Sequence, residues 1–264
     1  MQVIMILLII GLFFGIMPGG IDCTLDATDC AIIEEAGTNM RSLSGLSIDE
    51  LAITMIAGSP DGDIEGEIDF GASGQMAWNN GQLDMDLQLG YGDLSSGEQI
   101  RFVVKDGNAY TYDPSSEAWE QIRFMLDVRT LPTLSAPDAK WTGSDGVYTL
   151  TLTSEMYLTS DPFIEMAATF FNTLEIEEGP EELSVQLREL FGQMTTTQTP
   201  YTITYTIEDG FITQVQSEGM YALTGDEPGS TITFSMTLVM SNHNGEVTIE
   251  APEIETSAET KAGD

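Results

Sequence analysis

The sequence predicts an α+β fold in which one large antiparallel sheet carries helices on its apolar face. The first observation is a series of Asx-Gly dipeptides, which favour tight β-hairpin turns because both central residues of such a turn have positive φ. The second is that the segments between these dipeptides alternate apolar and polar residues, as strands with one buried and one solvated face do. The dipeptides are Asp61-Gly62, Asn80-Gly81, Asp106-Gly107, Asp145-Gly146, Asp209-Gly210 and Asn244-Gly245.

The alternation is clearest in three segments, at 63–70, 83–89 and 201–207. Their polar positions hold carboxylates, Gln or Thr, so we expect that face of the sheet to be wet. Their apolar positions share the opposite face, where we expect the core. These apolar positions are Ile64, Gly66, Ile68 and Phe70, then Leu83, Met85, Leu87 and Leu89, then Tyr201, Ile203, Tyr205 and Ile207.

Three helices are expected besides the strands, the first of them near 28–42. Asp161-Pro162 starts the second as N-cap and first helical residue, and Gly179-Pro180 opens the third ahead of two glutamates that suit the helix dipole. We expect 121–131 to be weakly helical or irregular. The apolar helix faces comprise Phe163, Ala167, Phe170, Phe171 and Leu174 in the second helix, and Leu183, Leu187, Leu190, Phe191 and Met194 in the third.

An apolar leader precedes this body. Residues 3–17 would form a helix of roughly 22 Å, shorter than a hydrocarbon core of about 30 Å, and Pro18 then breaks it. This favours a signal peptide, although no Lys or Arg precedes the run, and a retained membrane anchor is the alternative. We therefore divide the chain into a leader at 1–22, one domain at 23–252 and a disordered acidic tail at 253–264. No linker marks a second domain, and we expect an extracytoplasmic protein, either membrane-anchored or secreted.

Only two cysteines are present, Cys23 and Cys30, and both follow the leader closely. One interpretation is a lipoprotein acylated on Cys23, but Gly20 and Asp22 depart from the residues that usually precede an acylated cysteine. The other is a disulfide that closes a short loop, which an oxidising compartment permits. We prefer the disulfide.

The charge of the chain excludes some partners. There are 43 acidic and 8 basic residues, a formal net charge of -35, so nucleic acid and anionic headgroups are poor partners. Cation binding is one explanation of the acidic residues, and a solvated surface suited to saline surroundings is the explanation that we favour. Residues 61–69 imitate the start of a calcium loop, but Ala72 stands where the last carboxylate belongs, so no metal or cofactor is expected.

No arrangement of residues indicates catalysis. The single histidine, His243, adjoins the Asn244-Gly245 turn, where we expect an exposed side chain. There is no G-x-S-x-G motif and no phosphate-binding glycine loop. Carboxylate pairs are so abundant that no pair stands out. We therefore expect a protein that is not an enzyme.

Two segments carry a resemblance to a known family. Residues 232–253 end in a V-x-I-x-x-P pattern at Val247, Ile249 and Pro252, and residues 100–122 carry Tyr110, Tyr112 and Trp119. Both resemble segments of the LolA/LprG-like lipoprotein carriers, the first as closing strands and the second as a middle hairpin. The resemblance implies a half-open β-barrel, a curved sheet with helices on its concave face, that holds acyl chains. It implies no catalytic residues.

The expected function is therefore the binding of lipid or another apolar ligand between the sheet and the two central helices. The 14 methionines suit a pocket for varied chains, or equally a plain Met-rich core. The alternative is a monomeric structural or interaction protein of the cell surface, with a filled core and no ligand; we expect a monomer in either case. The candidate lining residues are Ile68, Phe70, Leu87, Phe102, Phe163, Phe170, Phe171 and Tyr205.

Overall fold

The computed structural model describes residues 22–79, 82–91, 99–113, 117–123, 139–152, 185, 194–196, 201–223 and 229–254. The predicted leader and most of the two central helices lie outside these residues. Among the described residues, no helix is long and apolar enough to cross a membrane. Met194, predicted at the end of the third helix, instead begins a short strand, so that part of the prediction is wrong.

One helix and twelve strands make up the described structure. The predicted helix near 28–42 is confirmed as α1, Ala27–Arg41. Residues 121–123, expected to be helical or irregular, belong to strand β6 instead. The strands are β1 Gly45–Gly58, β2 Ile64–Asn79, β3 Gln82–Tyr91, β4 Gln99–Lys105, β5 Asn108–Asp113, β6 Ala118–Arg123, β7 Lys140–Ser144, β8 Val147–Leu152, β9 Met194–Thr196, β10 Tyr201–Glu208, β11 Phe211–Leu223 and β12 Thr231–Ser241.

All these strands form one antiparallel sheet, which is curved and does not close. Its order is β6-β5-β4-β3-β2-β1-β12-β11-β10-β8-β7, and β9 pairs with β11 beside this path. The first and last strands of the chain are neighbours, so β1 and β12 join two halves. We call β2 to β6 the amino-terminal wing and β7, β8, β10 and β11 the carboxyl-terminal wing. The predicted fold class, a large curved antiparallel sheet in a half-open barrel, is confirmed.

Three of the predicted hairpin turns have positive φ at both residues of the Asx-Gly dipeptide. The φ values are 51° and 77° at Asp106-Gly107, 55° and 84° at Asp145-Gly146, and 50° and 78° at Asp209-Gly210. These values match a type I′ turn, whose twist suits the flanking strands. Asp61-Gly62 also lies between two strands, whereas Asn80-Gly81 lies outside the described residues.

A turn forms at Asn244-Gly245, where the Gly245 N–H donates to the Asn242 carbonyl at 2.9 Å, but the predicted hairpin is wrong because no strand follows among the described residues. Residues 245–254, which we call the carboxyl-terminal segment, pair with no strand of the sheet. The expected closing strand with Val247 and Ile249 is therefore absent there. Ile249 instead packs with Ala77, Val103 and Tyr110 in a small second cluster.

The sheet has an inner and an outer face, and the large core lies on the inner one. The alternation predicted for 83–89 and 201–207 is confirmed, since the apolar positions of both segments are buried. The segment 63–70 differs: Phe70 is buried, but Ile64 is 69% exposed and Ile68 is 51% exposed. The outer face is also less wet than expected, because the second cluster lies on it and Asp84 is buried there.

The helix α1 packs mainly on β11 and β10. Its N-cap is Asp26, whose carboxylate accepts hydrogen bonds from the backbone N–H groups of Thr28 and Asp29 at 2.9 and 3.0 Å. Its buried face comprises Ile33, Ala36, Gly37 and Met40. The helix therefore covers part of the carboxyl-terminal wing.

Candidate ligand-binding face

In the amino-terminal wing, β3 and β4 present an apolar inner face. Leu87 of β3 lies opposite Phe102 of β4, and both side chains are fully or almost fully buried. Gly74 of β2 lies opposite Leu87, with φ of 149°. A Cβ at Gly74 would lie 2.1 Å from the Asp86 carbonyl oxygen, so only glycine lets the strands approach this closely. The buried inner-face positions of β3 and β4 are Leu83, Met85, Leu87, Leu89, Ile100, Phe102 and Val104.

The carboxyl-terminal wing buries aromatic side chains that carry polar atoms. Tyr205 of β10 lies opposite Tyr148 of β8, and both rings are buried. The Trp141 ring of β7 packs against the Tyr205 ring, with centroids 5.6 Å apart. Tyr201 lies two positions before Ile203 on the same inner face and packs near Phe234 of β12. The two wings thus differ in chemistry although they share one face.

The phenols of this wing are held in their neutral form. Burial raises the pKa of Tyr201 to about 12, with the neighbouring Ser217 hydroxyl acting in the opposite direction. Burial raises the pKa of Tyr205 still further. The pKa of Tyr148 is raised by burial and by the hydrogen bond that its hydroxyl donates to Asp29 at 2.7 Å. The wing therefore offers polar groups without adding charge.

Two buried polar side chains of this wing, the Trp141 indole and the Ser217 hydroxyl of β11, have no hydrogen-bond partner among the described residues. The backbone N–H of Trp141 donates to the Thr24 hydroxyl at 3.3 Å. Its side-chain Nε1 is buried and has no hydrogen-bond acceptor among the described residues. Because an indole nitrogen only donates hydrogen bonds, only an acceptor atom can satisfy it.

The residues from Cys23 to α1 are tied to the carboxyl-terminal wing. Asn39 donates to the Gly210 carbonyl at 2.8 Å, at the β10–β11 turn. A disulfide joins Cys23 to Cys30, with Cα atoms 5.6 Å apart, as we preferred from the sequence. While that bond is present, the Cys23 sulfur is not available for acylation. Hydrogen bonds from Asn39 to Gly210, from the Trp141 backbone to Thr24 and from Tyr148 to Asp29 thus hold the start of the domain against one wing.

The described basic side chains lie away from the inner face. Lys105 pairs with the buried Asp84 at 2.7 Å on the outer face, and Arg101 forms a bidentate pair with Asp86 beside it. The pKa of Lys105 is raised by its hydrogen bond to Asp84, and that of Arg101 by its hydrogen bond to Asp86. Lys140 of β7 and Arg41 of α1 are exposed.

The histidine is placed differently from the prediction of an exposed side chain. His243 is half-buried, and its ring stacks on Phe211 with centroids 5.0 Å apart. Its Nε2 lies 3.0 Å from the Ile212 carbonyl oxygen, and burial lowers its pKa. Among the described residues, no three His, Cys, Asp or Glu side chains are grouped to hold a metal ion. The calcium-loop imitation at 61–69 forms a turn and the start of β2.

The structure brings together four of the predicted lining residues. Phe70, Leu87, Phe102 and Tyr205 belong to one buried cluster on the inner face. Ile68 shares the face by alternation but lies at its exposed end. Phe163, Phe170 and Phe171 lie outside the described residues. Sequence reasoning did not name Trp141, Tyr148 and Tyr201 among the candidates, although they are buried on the same face and the alternating segments 147–152 and 201–207 indicate the last two.

No family model matches the chain, and no curated protein is similar to it in sequence. Among solved structures, LprF from Mycobacterium bovis is similar over 86% of this chain and 98% of its own, with 11% identity and a TM-score of 0.38. A LolA superfamily protein from Nitrosomonas europaea covers 83% of this chain and 94% of its own, with 8% identity and a TM-score of 0.24. The chain resembles the LolA/LprG-like proteins. DynF from the dynemicin pathway of Micromonospora chersina covers 75% of this chain and 81% of its own, with 12% identity and a TM-score of 0.20.

Proposed function

We propose that this chain is an exported, monomeric protein that binds lipid or another apolar ligand against the inner face of its sheet. Residues 1–22 are its signal peptide or membrane anchor, and residues 23–252 are its binding domain. The acidic surface keeps the domain soluble in saline surroundings. We propose a binding protein and not an enzyme.

The observation that carries this proposal is the extent of the apolar inner face. Its buried positions run through both wings as one cluster. At the β1–β2 end the face continues into Ile68, which is 51% exposed, and Ile64 beyond a register shift is 69% exposed. Neighbouring exposed apolar side chains mark a binding surface more often than single exposed residues do. A chain lying along the face would cover them.

The location outside the cytoplasm rests on separate observations. The Cys23–Cys30 disulfide is typical of oxidising compartments. An apolar leader directly precedes these cysteines in the sequence. Both features favour an extracytoplasmic protein that works at or near the membrane.

Uptake of a labelled fatty acyl chain tests the proposal. We expect the natively purified protein to carry lipid that mass spectrometry detects, and to take up the labelled chain after delipidation. Ile68→Ser should weaken this uptake roughly threefold to tenfold, because it removes apolar contact area from the exposed end. The measurement is a fluorescence titration.

Val147→Ser is the matched control for that variant. Val147 is 47% exposed but alternates to the outer face, since Tyr148 beside it points inward. Its substitution should leave uptake unchanged. A protein with neither co-purified lipid nor uptake of the labelled chain would instead be the filled-core surface protein of the alternative interpretation.

A further inference from the structure

We propose that the Trp141 indole N–H binds an uncharged oxygen acceptor of the ligand, an ester, amide or ether oxygen, and so orients an amphiphilic lipid on the inner face. The polar atom of the lipid would lie on the carboxyl-terminal wing and its hydrocarbon chain along the amino-terminal wing. This inference rests on the proposed function and specifies its ligand class.

The unpaired donor is the first observation behind this assignment. Trp141 is only 4% exposed, and its Nε1 has no acceptor among the described residues. A buried N–H without a partner costs folding free energy, and most native structures avoid it. The side chains beside it across the sheet offer no acceptor, because Trp141 lies opposite Leu150 and Leu150 lies opposite Ile203, and both are aliphatic. An acceptor brought by a ligand would satisfy the donor.

The charge of the acceptor follows from the surroundings of the indole. Arg101 and Lys105 lie on the outer face and are already paired with Asp86 and Asp84. Lys140 is exposed, so no described cation faces the interior near Trp141. A buried carboxylate or phosphate without a cation is strongly disfavoured. The acceptor is therefore a neutral oxygen.

Two further groups also argue against a charged ligand at this position. Asp29 accepts the Tyr148 hydroxyl at 2.7 Å and is a negative group close to this wing, which disfavours an anionic ligand there. The Tyr205 ring, 5.6 Å from Trp141, stays neutral because burial raises its pKa. The site thus combines an unpaired N–H donor with uncharged aromatic and aliphatic side chains, which suits one small polar group attached to a chain.

Three ligands with the same chain length test the inference: methyl laurate, laurate and dodecane. The protein, with its tryptophan indoles labelled with ¹⁵N, is titrated with each in turn. Methyl laurate should move the Trp141 indole N–H resonance downfield, because a hydrogen bond forms there. Dodecane should bind without that shift, and laurate should bind more weakly than its methyl ester.

Trp141→Phe removes the donor and keeps an aromatic ring. It should weaken methyl laurate binding about fivefold to tenfold and leave dodecane binding unchanged. Trp119→Phe is the control, because Trp119 lies on the outer face beside Tyr112 and Arg101. That variant should bind all three ligands as the unmodified protein does.

The outcomes separate this inference from the proposed function. Equal binding of methyl laurate and dodecane with no indole shift would overturn the inference and leave the proposed function standing. If laurate bound as tightly as its methyl ester, the assignment of an uncharged acceptor would be wrong. If Trp141→Phe weakened the binding of methyl laurate and of dodecane equally, Trp141 would contribute only apolar contacts, and the inference would be overturned. Failure of the unmodified protein to bind any of the three would overturn both proposals.

Discussion

The amino-terminal and carboxyl-terminal wings share one inner face, yet they bury different side chains there. The first wing buries Leu, Met, Phe and Val, such as Leu87 and Phe102. The second buries Tyr148, Tyr201 and Trp141, with polar atoms among the carbons. Only the second receives the main contacts of α1. The difference teaches that one continuous inner face can be aliphatic in its middle strands on one side and rich in polar aromatic side chains on the other.

The largest expected effect concerns the amino-terminal wing. Phe102→Ala should lower the free energy of unfolding by about 3–5 kcal/mol, because it removes a fully buried ring and leaves a cavity. Ile68→Ala, at another predicted lining position, should cost less than about 0.5 kcal/mol because its side chain is half-exposed. Urea unfolding with unchanged m-values measures both. Equal costs for the two variants would show that the wing is packed uniformly to its end.

The alternation within strands could be predicted, because it follows from two-residue periodicity alone. The burial of Leu83 to Leu89 and the hairpin turn at Asp106-Gly107 depend on residues close in sequence. The exposure of Ile64 and Ile68 could not be predicted in this way. Alternation indicates on which face of the sheet a side chain lies. It does not indicate how far along a strand that face is buried by other parts of the chain.

The carboxyl-terminal segment and the histidine show the same limit. Val247 and Ile249 alternate like a strand, but strand pairing needs a free partner edge, and β1 is already occupied on both sides by β2 and β12. The segment crosses the outer face instead, and Ile249 is buried there. The stacking of His243 on Phe211 arises from the pairing of β12 with β11 across the sheet. Such contacts depend on topology, which local patterns do not specify.

The candidate site was predictable only in its apolar part. Phe70, Leu87, Phe102 and Tyr205 follow from strand faces. The unpaired Trp141 indole does not, because its lack of an acceptor is a property of everything packed around it. Sequence reasoning therefore finds an apolar inner face more readily than an unpaired polar atom within it.

A smaller expected effect is a difference between the wings in how they make the free energy of unfolding depend on pH. Tyr201 holds its proton more tightly when folded, with its pKa raised by burial to about 12, so the folded state binds more protons than the unfolded state above the ordinary pKa of 10. Its contribution is complete below pH 10 and is lost as pH rises, by about 2 kcal/mol at pH 12. Tyr201→Phe should make the alkaline loss of stability correspondingly shallower. Thermal unfolding between pH 8 and 12 measures the slope.

An unchanged slope in that variant would show that the Tyr201 phenol is not buried as described. The absorbance of tyrosinate provides a second reading, since the variant should lose one group that ionises late. Leu87→Met in the amino-terminal wing removes no phenol, so it should leave the alkaline slope as it is. A change of slope in Leu87→Met would remove the proposed distinction between the wings.

The smallest expected effect concerns α1, which packs mainly on the carboxyl-terminal wing. Asp26→Ala removes the side chain that accepts the Thr28 and Asp29 N–H groups, and should cost about 1 kcal/mol. Glu34→Ala is the control, since it removes one exposed carboxylate from the same helix without touching the cap. Hydrogen exchange should show faster opening of α1, and of β10 and β11 beneath it, in the Asp26 variant alone. Equal acceleration in β3 and β4 would mean that the helix stabilises both wings, and that the polar wing has no separate attachment to the start of the domain.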